Sequence, residues 1–323
     1  MSTGDKINSS VYRFDLISRG SKKPTPLGTA LFCGLRSADP ILQYGILAHG
    51  VGAGLLQKLG LDVLPAGLPI NTGLKLIDGL GLSPYRLILL AMTTGSTVKQ
   101  IFWLMYTSKE EFPPAAAVAV SVYNTLVNSL NNLLFTTAMF SASLSNGGSF
   151  PQPPLVVGSL LYVGGILTET MAEIQRKKFK DDPKNEGKPF TGGLWSYARH
   201  VNYTAYSAWR MGYALAAGGW GWGLAVGLFC VGDFSLRAIP VLDDYCTNRV
   251  SRRRRASDFE IYANMSHSMD RSGLSSNAGL HMPFCLVSGR RDDCYGTVET
   301  ESANILDHTP FFKYEMNLSL TIK

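Results

Sequence analysis

Long apolar stretches separated by short polar connections dominate the first two-thirds of this sequence. Four of them approach the ~20 residues that a helix needs to cross the hydrocarbon core of a bilayer. They are Ile41–Leu59, Tyr85–Tyr106, Pro114–Ser141 and Pro154–Met171. A further stretch, Tyr203–Arg237, is interrupted at Gly218–Gly223 and predicts two shorter helices in a hairpin, with Trp220 and Trp222 at the turn. We therefore predict an all-α, polytopic membrane helix bundle of about six spans.

Charged residues are scarce and unevenly distributed, which supports the same interpretation. They make up 17% of the chain, against roughly 25% in soluble globular proteins. They collect in Ser2–Lys23, in Glu173–Arg199 and after Asp243, and all three regions contain clustered lysines or arginines. Basic segments favour the cytosolic side of a membrane. Four spans precede the charged loop Glu173–Arg199, and a two-arm hairpin follows it. All three charged regions therefore lie on one side of the membrane, so we expect both termini in the cytosol.

Composition divides the chain into four regions. Residues 1–40 are predicted to be a cytosolic N-terminal segment, 41–172 a four-span membrane region, 173–249 a polar loop followed by the hairpin, and 250–323 a polar, disordered tail. The net charge of +6 suits contact with anionic lipid, and no nucleic-acid-binding motif accompanies it. The five cysteines show neither metal-ligand spacing nor a pairing pattern, so we expect no metal site.

Several strongly polar residues lie at membrane depth, where such side chains are costly and point to function. Lys99 is predicted to bind a head group, a substrate oxygen or a carboxylate, or else to snorkel to the interface. Asn124, Asn128 and Asn131 share one helical face. Their commoner role is hydrogen bonding between helices, and the alternative is a substrate cavity. Lys99, Asn124 and Asn128 are therefore the candidate substrate-binding residues.

The loop before the hairpin combines cations with hydrogen-bonding side chains at a membrane edge. The block Glu169–Tyr206 begins with acids and an amide at a helix end and continues through a basic, glycine-containing loop. It ends with Arg199-His200-Val201-Asn202-Tyr203 at the start of the next apolar helix. Cations beside the exposed backbone donors of a helix N-terminus suit a phosphate-bearing ligand. A juxtamembrane loop that holds anionic lipid is the alternative.

An ordered set of residues in this block matches a known cofactor region. Its members are Glu169, Thr170, Ala172, Glu173, Gln175, Arg176, Phe179, Lys180, Pro183, Asn185, Gly187, Lys188, Gly193, Leu194, Trp195, Arg199, His200, Asn202 and Tyr203. With them, the chain resembles the C-terminal part of the steroid 5-alpha-reductase and sterol reductase superfamily, including its fungal-type members. The resemblance covers about residues 155–249, and only the complete set is specific.

The resemblance implies an NADPH-dependent oxidoreductase of the endoplasmic reticulum membrane. Arg176 and Lys180 would meet the cofactor phosphates, and Asp243 and Cys246 would lie in the stretch that closes over the cofactor. The other implied cofactor-binding residues are Gln175, Trp195, Arg199, His200, Asn202 and Tyr203. Hydride would pass to a polarised C=C bond of a sterol, steroid or other lipid, and a protein acid would supply the proton.

Three departures from the family pattern bear on activity. Val201 stands where the family usually has a proline after Arg-His, and Tyr206 stands where it frequently has an acidic residue. Tyr206 is the candidate catalytic proton donor, with a packing role as the alternative. The family's closing aromatic and basic block is replaced by Asn248–Arg252. The resemblance therefore implies that this chain lacks part of its cofactor lid, which would leave it inactive.

Two other functions stay open. A membrane methyltransferase of the isoprenylcysteine or phospholipid type, which uses S-adenosylmethionine, shares an Arg-His-x-x-Tyr element with this chain. The segment Gln175–Lys188 favours the reductase over that class. A catalytically inactive membrane scaffold that retains the fold would explain the loss of the closing block.

Overall fold

The computed structural model describes residues 23–108, 110–144, 149–186, 188–198, 200–243 and 246–247. Its α-helices are α1 (Pro26–His49), α2 (Ala53–Lys58), α3 (Lys75–Asp78), α4 (Pro84–Phe102), α5 (Pro114–Thr136), α6 (Pro153–Asp181) and α7 (Val201–Asp233). π-Helical turns extend α4 through Trp103–Thr107 and α7 through Phe234–Ala238. These ranges contain isolated bridge residues, such as Val63 and Thr137, but no β-strand, which confirms the all-α prediction. The predicted tail, 250–323, lies outside the described residues.

Proline begins four of the five long helices. Pro26, Pro84, Pro114 and Pro153 occupy first positions, where the missing N–H has no intrahelical partner and the ring presets φ. At the other end of α1, Gly50 adopts the left-handed conformation with φ 66° and closes the helix. Local backbone chemistry therefore sets most of the helix boundaries.

The first predicted span is wrong in its position. Instead of a single helix over Ile41–Leu59, the structure has α1, which ends just before Gly50. Arg36 and Asp39 lie inside α1, where their fully buried side chains form an ion pair of 3.0 Å. Because the two charges compensate each other, they do not interrupt the helix. Residue 40, the predicted end of the N-terminal segment, consequently lies within α1.

The apolar stretch after the loop folds as the predicted hairpin. Gly219 has φ 77° and ψ −171°, a backbone conformation that interrupts α7 and that favours glycine. A Cβ placed at Gly223 would lie 2.7 Å from the Cβ of Leu215, and one at Gly227 would lie 2.9 Å from the sulfur of Met211. In each of these pairs the two residues lie at equal distances along the sequence from Gly219. The two arms of α7 therefore pack antiparallel.

We call residues 201–218 the outward arm of α7 and residues 220–233 its return arm. The two tryptophans predicted at the turn directly follow the break at Gly219 and begin the return arm. Trp220 is half exposed, and the indole N–H of Trp222 donates to Oδ1 of Asn131 in α5 at 2.7 Å. The turn is therefore tied to the bundle through α5.

Small residues allow α6 and the outward arm to touch backbone to backbone. A Cβ placed at Gly158 would lie 2.5 Å from the carbonyl oxygen of Gly212, and one at Gly165 would lie 2.6 Å from the backbone nitrogen of Trp209. Membrane helices use small residues in this way because close packing drives their association in lipid. The contact fixes the start of α7 against the end of α6, where the loop between them begins.

Contacts along the long helices define their relative directions. α1, α5 and the outward arm run one way, and α4 and α6 run the other. The contacting pairs are Arg36–Thr125 and Gln43–Asn132 for α1 with α5, Arg36–Thr97 and Leu47–Arg86 for α1 with α4, Met92–Tyr162 and Lys99–Glu169 for α4 with α6, and Gly158–Gly212 and Gly165–Trp209 for α6 with α7. The start of α1 and the ends of α4 and α6 therefore share the face that carries the α6–α7 loop.

Within the described part of the chain, three helical segments are long and apolar enough to cross a membrane. They are Pro84–Thr107, Pro153–Asp181 and Val201–Asp243, with mean hydropathies of 1.3, 1.5 and 1.6 in their most apolar windows. The third contains the whole hairpin. The long helices also expose Leu126, Leu160 and Leu228 at their outer surfaces, as helices that face lipid do.

Candidate functional site

The α6–α7 loop is fastened to the end of α6 by two residues that the sequence assigns to a cofactor. Gln175 Oε1 accepts the backbone N–H of Leu194, and the indole N–H of Trp195 donates to the carbonyl of Ala172, each at 2.9 Å. Gly193 has φ 58°, and a Cβ there would lie 2.5 Å from Gln175 Oε1. Glycine permits this close approach. Gln175 and Trp195 therefore hold the loop in place.

Buried Glu173, near the end of α6, connects this helix to the start of α7. Its carboxylate accepts from Arg176 at 2.8 Å and from Nδ2 of Asn202 at 3.1 Å. The Arg176 guanidinium also lies over the Trp195 ring, 5.0 Å from its centroid. The positive charge of Arg176 is thus compensated within the chain. Asn202 Oδ1 is buried and has no hydrogen-bond partner in the described residues, so it can accept from a ligand.

A column of aromatic rings leads from the loop into the bundle. The rings of His200 and Tyr203 are stacked with centroids 5.3 Å apart, and Tyr203 stacks on Phe234 at 4.4 Å. Tyr206 meets the edge of Phe234 at 5.4 Å. The structure therefore brings together three residues that the sequence predicts for the site, and Tyr206 lies farthest along the outward arm from the loop.

The sequence also predicts cofactor contacts for Lys180, Arg199, Asp243 and Cys246. Lys180 is exposed one turn beyond Arg176 on α6. Asp243 lies at the end of the helical extension of α7, and Cys246 is a half-buried free thiol. Arg199 lies outside the described residues. Of these four, Lys180 is the one that shares a helix with Arg176.

Lys99 finds its partner within the bundle. It forms an ion pair with Glu169 of α6, and only 9% and 10% of the two side chains are exposed. Glu169 also accepts the indole N–H of Trp209 at 2.7 Å. A carboxylate partner, one of the predicted roles of Lys99, is therefore supplied by the chain itself, and substrate binding by Lys99 stays a prediction.

A buried polar cluster joins α1, α4 and α5 around Asp39. The guanidinium of Arg36 donates to Asp39 at 3.0 Å and to the hydroxyl of Thr97 at 3.0 Å. The side-chain amides of Asn128 and Gln43 donate to the same carboxylate at 2.7 and 2.9 Å. Buried charges are tolerated where such hydrogen bonds complete their pairing, and Asp39 is satisfied in this way.

Arg210 brings a second positive charge to this cluster from α7. It donates to Asn124 Oδ1 and, at 3.5 Å, to Asn128 Oδ1. Its Nε donates to the phenol oxygen of Tyr206 at 3.0 Å, and its guanidinium lies 4.3 Å from the Trp209 ring centroid. Only 1% of Arg210 is exposed. Every partner named here is neutral, and no salt bridge to Arg210 forms within the described ranges.

The asparagines make the interhelical hydrogen bonds that are their commoner predicted role, and substrate binding by Asn124 and Asn128 stays a prediction. The predicted site residues do not include Arg36, Asp39 and Arg210, the charged residues of the cluster that the asparagines join. A signal for Arg210 was present, because an ionisable residue inside an apolar stretch marks a functional position. Arg36 and Asp39 precede the predicted first span, so the pattern assigns them to a polar segment.

A cleft of about 280 Å³ lies beside the cluster, between α1 and α5. Asp39, Ser121 and Thr125 contribute its polar groups. Its larger apolar lining residues are Leu35, Leu42, Val122 and Leu126. These four residues are exposed at the outer surface of the bundle, so the cleft opens sideways from the cluster toward the surroundings of α1 and α5.

Comparisons with known proteins give the chain a family. A family described as "Protein of unknown function (DUF1295)" matches residues 116–263. Over 245 residues the chain is 42% identical to "Probable O-methyltransferase ustE" of Ustilaginoidea virens, which covers 75% of this chain and 86% of that protein. This chain belongs to the family of that fungal protein. No solved structure matches this chain.

The DUF1295 match includes most of α5, all of α6 with Glu173, all of α7, and the loop between these two helices. Arg210 lies within the matched range, whereas Arg36 and Asp39 precede it. DUF1295 is associated with steroid 5-alpha-reductase-like proteins, which agrees in coarse terms with the resemblance seen in the sequence. The name of the fungal relative agrees instead with the methyltransferase alternative.

Proposed function

We propose that this chain is a membrane-embedded O-methyltransferase that binds S-adenosylmethionine at the α6–α7 loop. The observation that carries the proposal is the 42% identity to a protein named a probable O-methyltransferase, in an alignment that covers 86% of that protein. The Arg-His-x-x-Tyr element, here Arg199 to Tyr203, is consistent with this class.

The loop has groups that suit a sulfonium cofactor. Glu173 supplies a buried carboxylate, and the aromatic column of His200, Tyr203 and Phe234 provides an apolar wall beside it. Asn202 Oδ1 would accept a hydrogen bond from the cofactor's amino groups. The ion pair of Arg176 with Glu173 at 2.8 Å partly neutralises both groups, so the hydrogen-bond acceptor of Asn202 is the group that favours this cofactor.

The cofactor and the chain would contribute different parts of the chemistry. When bound, S-adenosylmethionine would supply a methyl group to an ionised substrate oxygen: a C–O bond forms as the sulfur–methyl bond breaks, and S-adenosylhomocysteine is released. The aromatic column would orient the substrate oxygen and exclude water from it. Tyr206 accepts the N–H of Arg210 at 3.0 Å, so its own O–H remains as a donor that can fix a substrate oxygen in position.

We also propose that six helical segments cross the membrane: α1, α4, α5, α6 and the two arms of α7. Buried polar residues lower the hydropathy of α1 and α5, but the surfaces that these helices turn outward are apolar. The face with the α6–α7 loop carries Arg176, Lys177, Lys178, Lys180, Lys184 and Lys188. The positive-inside rule puts that face in the cytosol, as the sequence predicts.

An NADPH-dependent lipid reductase is the second candidate function. The ordered match of Gln175–Lys188 to the cofactor region of sterol reductases favours it. Lys178, Lys184 and Lys188 are exposed on or beside the same loop, where they would attract cofactor phosphates. In this case the substrate would be a membrane lipid with a polarised C=C bond.

A methyl-transfer assay distinguishes the two candidates. The purified chain in lipid nanodiscs receives S-adenosylmethionine with a tritiated methyl group and the lipid-soluble extract of its source cells. We expect tritium in an extracted product and its loss in Tyr203→Leu, which removes the middle ring of the column. The matched control is Tyr197→Leu, because Tyr197 is 87% exposed on the same loop. NADPH oxidation with an enone lipid, without tritium transfer, would overturn the proposal.

A further inference from the structure

We infer that the buried cluster around Arg36 and Arg210 binds the carboxylate of an amphipathic molecule whose apolar part occupies the cleft between α1 and α5. This site is separate from the α6–α7 loop. The inference does not depend on which cofactor the loop binds.

The cluster carries more positive than negative charge. Arg36 is paired with Asp39 at 3.0 Å, whereas the partners of Arg210 in the described part of the chain are neutral amides, a phenol and aromatic rings. Arg36 is 0% exposed and Arg210 is 1% exposed. A buried charge at membrane depth is costly unless an opposite charge accompanies it. The cluster therefore favours an anionic ligand.

Two buried hydrogen-bond donors in the cluster have no partner among the described residues: Nε of Arg36 and Oγ of Ser121. Arg36 also contacts Thr125, one turn from Ser121 on α5, at 3.4 Å. Both unpartnered donors belong to residues that are at most 1% exposed, and buried polar groups normally have partners. Gln100 Oε1, a buried acceptor nearby, also has none and would accept from a ligand hydroxyl.

The cleft connects the cluster to the outer surface of the bundle. Asp39 and Thr125, which contact Arg36, contribute to the cleft, as does Ser121. Its volume of about 280 Å³ lies near the small end of ligand pockets, roughly 300 Å³. A slender molecule would fit with its charged end at Ser121 and Thr125, next to Arg36, and its apolar body between the leucines at the mouth.

Dodecanoate and dodecanol are the matched probes for this site, each with a photoreactive diazirine on its chain. The protein is held in phosphatidylcholine nanodiscs. We expect the acid to bind about tenfold or more tightly than the alcohol, as a charge-assisted hydrogen bond predicts. We also expect cross-links to peptides of α1 and α5. Equal affinity for the two probes would overturn the inference.

Ser121→Leu tests the location, because it fills the cleft and leaves both arginines in place. We expect it to abolish the acid-specific cross-links, whereas Leu160→Phe, on the outer surface of α6, is expected to retain them. Val122→Phe, at the exposed mouth of the cleft, repeats the test if Ser121→Leu does not fold. Acid-specific cross-linking that survives in a folded cleft variant would overturn the inference. Cofactor affinity measured on the same samples shows separately whether the loop site is functional.

Discussion

The α6–α7 loop and the buried cluster use charged residues in different ways. At the loop, Arg176 and Glu173 form a one-to-one pair at a helix end, and 36% of the arginine side chain is exposed. In the cluster, Arg36, Asp39 and Arg210 are buried and connected through amides that belong to other helices. The loop is therefore accessible to a water-soluble cofactor, whereas the cluster is approached through the cleft between α1 and α5.

The largest expected effect follows from removing the carboxylate of the cluster. Asp39→Ala leaves Arg36 buried without its opposite charge, and breaking a buried pair costs about 3–5 kcal/mol. We expect a large fall in the yield and thermal transition temperature of the protein in detergent. The corresponding change at the loop, Glu173→Ala, is expected to cost less because Arg176 can turn toward water.

The double variant Arg36→Met, Asp39→Leu serves as the control for this comparison. It removes both charges and replaces them with apolar groups, which is often neutral for a buried pair. We expect it to recover most of the stability lost in Asp39→Ala. A double variant that is as unstable as the single one would show that the charge balance of the cluster is not what stabilises it.

A smaller effect is expected where the two regions are joined, at the α6–α7 contact. Gly165→Leu would force its side chain into the backbone of the outward arm, 2.6 Å from Trp209 N, at a cost of about 1–3 kcal/mol. Gly164→Leu is the matched control, because a Cβ at Gly164 has no neighbour within 4 Å. Thermal unfolding of the two variants should differ. Equal transition temperatures would mean that this contact does not hold the helices together.

The smallest expected effect lies at Asp78, a water-exposed carboxylate outside both regions. The backbone N–H of Thr72 at 2.7 Å, its hydroxyl at 2.8 Å and the N–H of Gly73 lower the pKa of Asp78 below its ordinary value of 3.8. The stabilisation by this carboxylate is complete at pH values above 3.8, the ordinary pKa. It is lost as the pH falls through the lower pKa that Asp78 has in the folded protein. At pH 6 the Thr72 and Gly73 amides should exchange faster in Asp78→Ala than in the wild type. Equal rates would contradict this account.

Sequence pattern predicted the features of the fold that local chemistry determines. The break in α7 follows from the glycines around Gly219, which allow a backbone conformation that other residues avoid. The predicted starts at Pro114 and near Pro84 also agree with the structure, because proline belongs at the first helical position. At the loop, the predicted set included Gln175 and Trp195, although their observed partners are backbone groups of the chain.

The buried cluster could not be predicted because its pairing depends on tertiary contacts. Arg36 and Asp39 look like residues of a polar segment until Asn128, 89 positions away along the chain, completes the carboxylate's hydrogen bonds. Their charges therefore displaced the predicted start of the first helix toward Ile41. Lys99 is a similar case, since its partner Glu169 lies 70 positions away.

The most direct test of the account measures equilibrium binding of S-adenosylmethionine and NADPH to the wild type and to Glu173→Gln in nanodiscs. Glu173→Gln removes the buried negative charge at the end of α6 while keeping an acceptor for Asn202. We predict that the wild type binds S-adenosylmethionine and that the variant binds it about tenfold more weakly. Binding of NADPH alone, strengthened by Glu173→Gln because Arg176 is released, would contradict the proposed function.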